Sequence, residues 1–200
     1  METLAFLGPS ALFMVSMTIT PGPNNVMLTA SGANYGFIRT LPHIFGILIG
    51  CFTLFTAIAL GLGLLFETWP MMHNLLRILG SAYLLYLAWR IGTAPPPDLR
   101  RKGEGRPLTF LQAAAFQFVN PKAWVMGLAL IAGFLPQGGS TLLNALLLVG
   151  FAELIALPCI SLWAGFGLAI GRLLKTPRAW RWFNGIMGGM TAACVVFILA

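Results

Sequence analysis

An apolar stretch at residues 4–30, long enough to cross a bilayer, is interrupted by the sequence Thr-Pro-Gly-Pro-Asn-Asn at residues 20–25. The two prolines remove backbone hydrogen-bond donors and the glycine relaxes steric limits, so carbonyl groups of the preceding turn lose their helical partners. Lipid cannot replace these partners, and such backbone is tolerated at membrane depth only where protein groups or a polar cavity satisfy it. Asn24 and Asn25 supply polar side chains for this purpose. The pattern predicts a broken membrane helix at a site for a polar solute.

The composition also predicts an integral membrane protein. Hydrophobic residues make up 58% of the 200-residue chain and charged residues 8%, whereas roughly 25% of residues are charged in soluble domains. The net charge of +7 comes from basic residues in short gaps between apolar runs. This arrangement does not form a recognition face, so we expect no nucleic-acid partner. Glu2, with no Lys or Arg before the first apolar run, argues against a cleaved signal peptide.

Six apolar runs are each long enough for a transmembrane helix, which needs about 20 residues. They cover residues 4–30, 41–66, 71–91, 110–135, 142–170 and 179–199. Pro158, inside the fifth run, is expected to kink that helix without ending it. The hydrophilic connector at residues 92–107 divides the single transporter domain, residues 1–200, into two three-helix halves, residues 1–91 and 108–200.

The basic residues predict the orientation of these spans. Lys and Arg concentrate in the gaps after the first, third and fifth spans, which are therefore assigned to the cytoplasm, with both termini in the periplasm. Three spans per half force the halves into opposite orientations, as in inverted-repeat transporters. The fourth span contains the counterpart of the first break, Asn120-Pro121-Lys122. The predicted fold is an all-α integral membrane protein of six transmembrane helices, arranged as two inverted three-helix repeats with broken first and fourth helices.

Two charged residues are predicted to lie deep in the membrane. Lys122 is about a dozen residues from either end of the fourth span, too far to reach an interface easily, and Glu153 lies at comparable depth in the fifth span. The sequence predicts that they pair, with Glu153 as the proton-coupling carboxylate. The alternative is a charge pair that only locks two helices together.

The remaining polar and small residues give weaker indications of the site and of helix packing. Trp124, beside the second break, is predicted to line the cavity, whereas His43 near a span end is expected to be an ordinary hydrated histidine. Small-residue steps such as Gly46 to Gly50 allow close helix approach and would also allow a homodimer. The sequence has no nucleotide loop, no metal-ligand cluster and no nucleophile with its base, so neither catalysis nor a cofactor is expected.

Three motifs resemble one known family. Thr20-Pro-Gly-Pro-Asn-Asn25, Gly36-Phe-Ile-Arg39 and Phe118-Val-Asn-Pro-Lys-Ala123 are similar to motifs of the LysE/RhtB family of bacterial amino-acid exporters, and the resemblance covers essentially the whole chain. Residues 88–95 and 116–120 resemble its cysteine and O-acetylserine exporter branch. The resemblance implies export of amino acids or their derivatives across the bacterial inner membrane, coupled to the proton gradient. The family positions matched here are Pro21, Gly22, Pro23, Asn24, Asn25, Asn120, Pro121 and Lys122; Glu153 matches no family motif.

Together, these features predict a transporter whose broken helices bind a zwitterion. Backbone N–H groups after Pro23 or Pro121, together with Lys122, suit the carboxylate, while freed carbonyls and asparagine side chains suit the ammonium. Two other classes remain open. A membrane thiol-disulfide electron carrier would need a cysteine at each break, where this chain has none. A passive channel or structural membrane subunit would show transport without a gradient, or no transport.

Overall fold

The computed structural model describes residues 7–62, 70–95, 106–136 and 138–196, and these residues form helices with no β-strand among them. Most of the predicted cytoplasmic connector, residues 96–105, lies outside the described residues. The helices are α1 (Leu7–Ile19), α2 (Pro23–Tyr35), α3 (Phe37–Ala57, continued by a π-helical segment, Ile58–Leu62), α4 (Pro70–Gly92), α5 (Phe110–Gln117), α6 (Pro121–Phe134), α7 (Thr141–Leu173) and α8 (Pro177–Ala193). The prediction of an all-α protein is confirmed.

Within the described parts of the chain, two helices have both the length and the apolarity of membrane spans. They are α3 with its extension, Phe37–Leu62, of 26 residues, and α7, of 33 residues. At 1.5 Å per residue, α7 is about 50 Å long, more than the roughly 30 Å of a hydrocarbon core. Pro158 lies inside α7 without ending it, as predicted.

The first and fourth predicted spans each consist of two helices. The chain leaves helical geometry between Ile19 and Pro23 and again between Gln117 and Pro121, so both predicted breaks are confirmed. Helices α1 and α2 contain 13 residues each and are about 20 Å long. Neither is long enough to cross a bilayer alone, which leaves the first break near the middle of its span.

Gly36 joins α2 to α3 in one residue. Its φ of 81° lies in the left-handed region, which glycine adopts without steric cost. Its N–H donates to the Gly32 carbonyl at 3.0 Å, closing the last turn of α2. The first span therefore continues to Tyr35, beyond the predicted end at residue 30, and reverses at once into α3.

Helix α2 packs against α7 with their backbones in contact. A Cβ atom at Gly32 would lie 2.0 Å from the carbonyl oxygen of Ala164, and one at Gly167 would lie 2.0 Å from that of Thr29. Only glycine permits this approach, as expected for packing in a membrane.

Helix α5 packs against α3 in the same way. A Cβ atom at Gly46 would lie 2.4 Å from the Phe110 carbonyl oxygen, and one at Gly50 would lie 2.6 Å from that of Ala114. Helix α2 of the first predicted half thus packs on α7 of the second, and α5 of the second packs on α3 of the first, while α4 packs on α8. This exchange places the two breaks side by side.

Candidate functional site

The carbonyl groups freed by the first break are satisfied by two side chains. Asn25 Nδ2 donates to the carbonyl oxygens of Thr18 at 2.8 Å and Thr20 at 2.9 Å. Lys122 Nζ, which comes from the second break, also donates to the Thr20 carbonyl and lies 3.5 Å from that of Pro21. The second break therefore supplies a cation to the carbonyl end of the first.

No side chain among the described residues caps the start of α2. Gly22 holds the N-cap position with extended backbone, φ −171° and ψ 179°, and Pro23 is the first helical residue. The first intrahelical bond runs from Val26 N to the Gly22 carbonyl at 3.0 Å. The amide N–H groups of Asn24 and Asn25 precede it and have no acceptor within the helix. They lie at the positive end of the helix dipole, where an anion is stabilised.

The start of α6 is capped by its own side chain. Asn120 holds the N-cap position and its Oδ1 accepts from the Lys122 amide N–H at 3.2 Å. Trp124 Nε1 donates to the Phe118 carbonyl at 2.8 Å, which satisfies a carbonyl group at the end of α5. Pro121, as the first helical residue, has no N–H to satisfy.

Gln117 joins the two breaks. Its Oε1 accepts from Asn24 Nδ2 at 2.9 Å and from Asn120 Nδ2 at 3.2 Å, and its Nε2 donates to Asn24 Oδ1 at 3.2 Å. The Gln117 side chain is fully buried. Sequence reasoning missed it as a site residue, although a glutamine in an apolar run, three residues before Asn120, lies one helical turn from the break and could have indicated it.

A cavity of about 460 Å³, counting the part open to solvent, lies between the breaks and α7. Seven of the predicted site residues line it: Gly22, Pro23, Asn24, Asn25, Asn120, Lys122 and Glu153. Pro21, Pro121 and Trp124 are outside its lining, so the prediction that Trp124 lines the cavity is wrong. Its indole N–H instead donates to the Phe118 carbonyl, so the side chain is hydrogen-bonded to the second break.

Glu153 and Lys122 line the same cavity but do not form the predicted pair. Lys122 Nζ binds the carbonyls of the first break, and Glu153 Oε1 is buried with no hydrogen-bond partner among the described residues. The pair was predicted because two isolated charges at membrane depth need partners. The structure gives Lys122 backbone acceptors instead, so the Glu153 carboxylate, 9% exposed, lines the cavity with no cation paired to it among the described residues.

Residues 15–199 match the family of LysE type translocators. The chain belongs to this family. The resemblance read from the sequence motifs is thereby confirmed, and the membrane character of the chain with it.

Several curated relatives of this LysE-type protein share one name. The chain is 33% identical over 123 residues to a cysteine/O-acetylserine efflux protein of Salmonella paratyphi A, and 33% identical over 121 residues to the protein of that name from Escherichia coli K12. The protein of that name from Salmonella choleraesuis is 32% identical over 123 residues. Each alignment covers 60% of this chain, and the chain spans 60% of the length of each relative. No solved structure matches the chain.

Proposed function

We propose that this LysE-type protein exports amino acids or their derivatives across the bacterial inner membrane in exchange for protons. One observation carries the proposal: a single cavity between two helix breaks presents groups that suit both ends of a zwitterion. The names of the relatives favour cysteine and O-acetylserine as the first solutes to test.

The carboxylate end of the solute would bind at the start of α2. The Asn24 and Asn25 N–H groups have no acceptor in the helix, and an anion there is stabilised by hydrogen bonds and by the helix dipole. Lys122 Nζ donates a hydrogen bond to the adjacent Thr20 carbonyl. When a solute is bound, it can instead donate a charge-assisted hydrogen bond to the solute carboxylate.

The ammonium end of the solute would bind Glu153. A carboxylate in a buried site is costly unless a cation or a proton neutralises it, because burial removes its hydration. Glu153 can therefore hold the solute ammonium or a proton, but not both. A proton arriving from the periplasm would release the solute there, and loss of that proton to the cytoplasm would restore the carboxylate for the next solute molecule.

The exchange requires access to the cavity from each side in turn. We propose that the protein crosses the membrane six times as two inverted three-helix repeats, with both termini in the periplasm, and that rocking of one repeat against the other opens the cavity alternately. The matched breaks and the exchanged packing of α2 on α7 and α5 on α3 support this arrangement.

The orientation has a direct test. In a variant lacking Cys51, Cys159 and Cys194, single cysteines introduced at Ser140 and at Gly103 should react with an impermeant thiol reagent from opposite faces of the membrane. Ser140 should be labelled in intact cells, and Gly103 only in everted vesicles. Labelling of both residues from one face would contradict the inverted-repeat arrangement.

Transport itself is tested in everted membrane vesicles, whose outer face is the cytoplasmic one. We expect labelled L-cysteine, kept reduced, or O-acetyl-L-serine to enter these vesicles faster than vesicles without the protein, and an imposed proton gradient, acid inside, to accelerate uptake. Lys122→Ala should abolish this uptake, and Lys175→Ala, an equal charge change on an exposed residue away from the cavity, should not. No uptake of any amino acid in a labelled panel would overturn the proposal, and uptake indifferent to the gradient would favour a passive channel.

A thiol-disulfide carrier receives limited support from the structure. Among the three cysteines, all of which are described, only Cys51 lines the cavity, where its Sγ lies 3.6 Å from Gln117 Oε1. Disulfide exchange needs a second thiol within reach. Unchanged transport by Cys51→Ala would favour an exporter over a thiol-disulfide carrier.

A further inference from the structure

A second cavity, of about 470 Å³, lies farther along α2, between α2, α3, α4 and the segment before α5. Polar and charged residues from four segments line it: Ser31, Asn34, Tyr35, His43, Arg90 and Arg106. None of the residues that line the cavity between the two breaks, which we call the central site, lines this second cavity. It is a separate chamber with its own polar lining.

His43 is the most unusual part of this lining. Its side chain is 1% exposed, and neither ring nitrogen has a hydrogen-bond partner within the described parts of the chain. The expectation of a hydrated histidine is therefore wrong, because α2 covers the first turns of α3 and is fixed there by the 2.8 Å hydrogen bond between Ser31 and Thr40. An imidazole always offers at least one N–H donor. Burying it unpaired is unfavourable, so a ligand group in the cavity would be stabilised by it.

Two guanidinium groups give the cavity its charge. Arg90 comes from the last turn of α4, with its Cζ 5.9 Å from the centroid of the Tyr86 ring, and Arg106 comes from the segment that leads to α5. No acidic residue is found among the described residues that line the cavity. Guanidinium groups bind carboxylates through paired, charge-assisted hydrogen bonds. The lining therefore suits an anion.

The two cavities are arranged in series along α2. Asn24 and Asn25 line the central cavity, and Asn34 lines the second cavity, nine residues or about 14 Å farther along the helix. Between them, Met27 packs with Phe116 in a buried apolar cluster. In the proposed orientation the second cavity is on the cytoplasmic side, where an exported solute enters.

We propose that the second cavity is a carboxylate-binding antechamber, in which Arg90, Arg106 and His43 hold an amino-acid solute before it passes to the central site. This role rests on the proposed export function. It predicts a sided effect: the antechamber acts on solute arriving from the cytoplasm and is bypassed by solute arriving from the periplasm.

The test compares uptake kinetics from the two faces, using O-acetyl-L-serine or L-cysteine, whichever the wild-type protein transports. In everted vesicles, the double variant Arg90→Gln/Arg106→Gln should raise KM at least tenfold, because it removes charged hydrogen-bond donors. In right-side-out vesicles its KM should stay within about twofold of wild type. Arg178→Gln, an exposed arginine assigned to the same side but away from the cavity, should leave both values unchanged. Cysteamine, which lacks the carboxylate, should lose no affinity in the double variant.

His43 is tested by two substitutions. His43→Leu removes both ring nitrogens and should raise the KM measured from the cytoplasmic face. His43→Asn retains a donor and an acceptor, so its KM should lie between those of wild type and His43→Leu. If His43→Leu fails to accumulate in the membrane, the arginine variants decide the question alone. A wild-type protein that transports nothing would overturn the proposed function. Transport by wild type with unchanged KM in the double variant, or with equal changes from both faces, would overturn the antechamber while leaving the function intact.

Discussion

The two helix breaks contain similar residues but differ in how the following helix begins. Both place proline at the first helical position, yet α6 is capped by Asn120 whereas α2 starts at Gly22 with no cap. The second break is thus closed by its own side chains, and its Lys122 extends to the carbonyls of the first. We propose that this difference divides the roles of the two breaks: the second break supports the site, and the first leaves backbone donors free for a solute.

The largest effect should come from Lys122→Ala. This change removes the cation from the Thr20 and Pro21 carbonyls and from the cavity, and each hydrogen bond to a charged group contributes about 1.5 to 3 kcal/mol. We expect transport to fall by at least about a hundredfold, measured as initial uptake into everted vesicles. Lys122→Arg, which keeps the charge, should retain more activity than Lys122→Ala. Equal loss in both would indicate that side-chain shape, rather than charge, matters at this position.

Alanine substitutions of Asn24 and Asn120 test whether the second break supports the site while the first binds the solute. Asn120→Ala removes the cap of α6, worth about 1 kcal/mol, so it should lower both thermal stability in detergent and transport. Asn24→Ala removes the hydrogen bonds to Gln117 and should reduce transport roughly tenfold with a smaller effect on stability. Asn120→Ser retains a capping oxygen and should recover the stability lost in Asn120→Ala. If Asn24→Ala proved the less stable of the two alanine variants, this division of roles would be wrong.

Two substitutions of Gly22 separate the effect of capping the free N–H groups at the start of α2 from steric effects. A Cβ atom at this position would lie 2.8 Å from Lys122 Cδ, so Gly22→Ala and Gly22→Ser should both displace that side chain and lower transport several-fold. Only serine adds an oxygen that can cap the Asn24 or Asn25 N–H. We therefore expect a further loss in Gly22→Ser, seen as a higher KM. Identical kinetics for the two variants would mean that the start of α2 does not bind the solute.

Glu153→Gln should have its most specific effect on coupling, because the amide oxygen can still accept a hydrogen bond from the solute ammonium but cannot take up a proton. Because Glu153 is not paired with Lys122 in the structure, its removal leaves no charge unpaired, and protein abundance should be unchanged. Solute exchange between the two faces should persist, while acceleration by an imposed proton gradient is lost. Reduced abundance of Glu153→Gln, restored by adding Lys122→Met, would instead show that the two residues form a structural pair.

The positions of the two helix breaks could be predicted from the sequence, but the residues that form hydrogen bonds with each break could not. Proline lacks an N–H wherever it is placed, so Pro23 and Pro121 mark the starts of α2 and α6 from local chemistry alone. The contacts that complete the site, from Gln117 to Asn24 and from Lys122 to Thr20, join residues about a hundred positions apart. Reasoning from charge alone paired Lys122 with Glu153, because backbone carbonyls freed in another helix are not visible in the sequence.

The sequence by itself determined that this chain is helical, that it is a membrane protein of the LysE-type family, and where two of its helices break, because these properties depend on composition, motif and local backbone chemistry. The tertiary structure decided which break is capped, what Lys122 binds, and that Glu153 and His43 are buried beside separate cavities. These outcomes depend on how α2 packs against α7 and α5 against α3. That packing is fixed by close backbone contacts at glycines such as Gly32 and Gly46, whose partners lie in the other half of the chain.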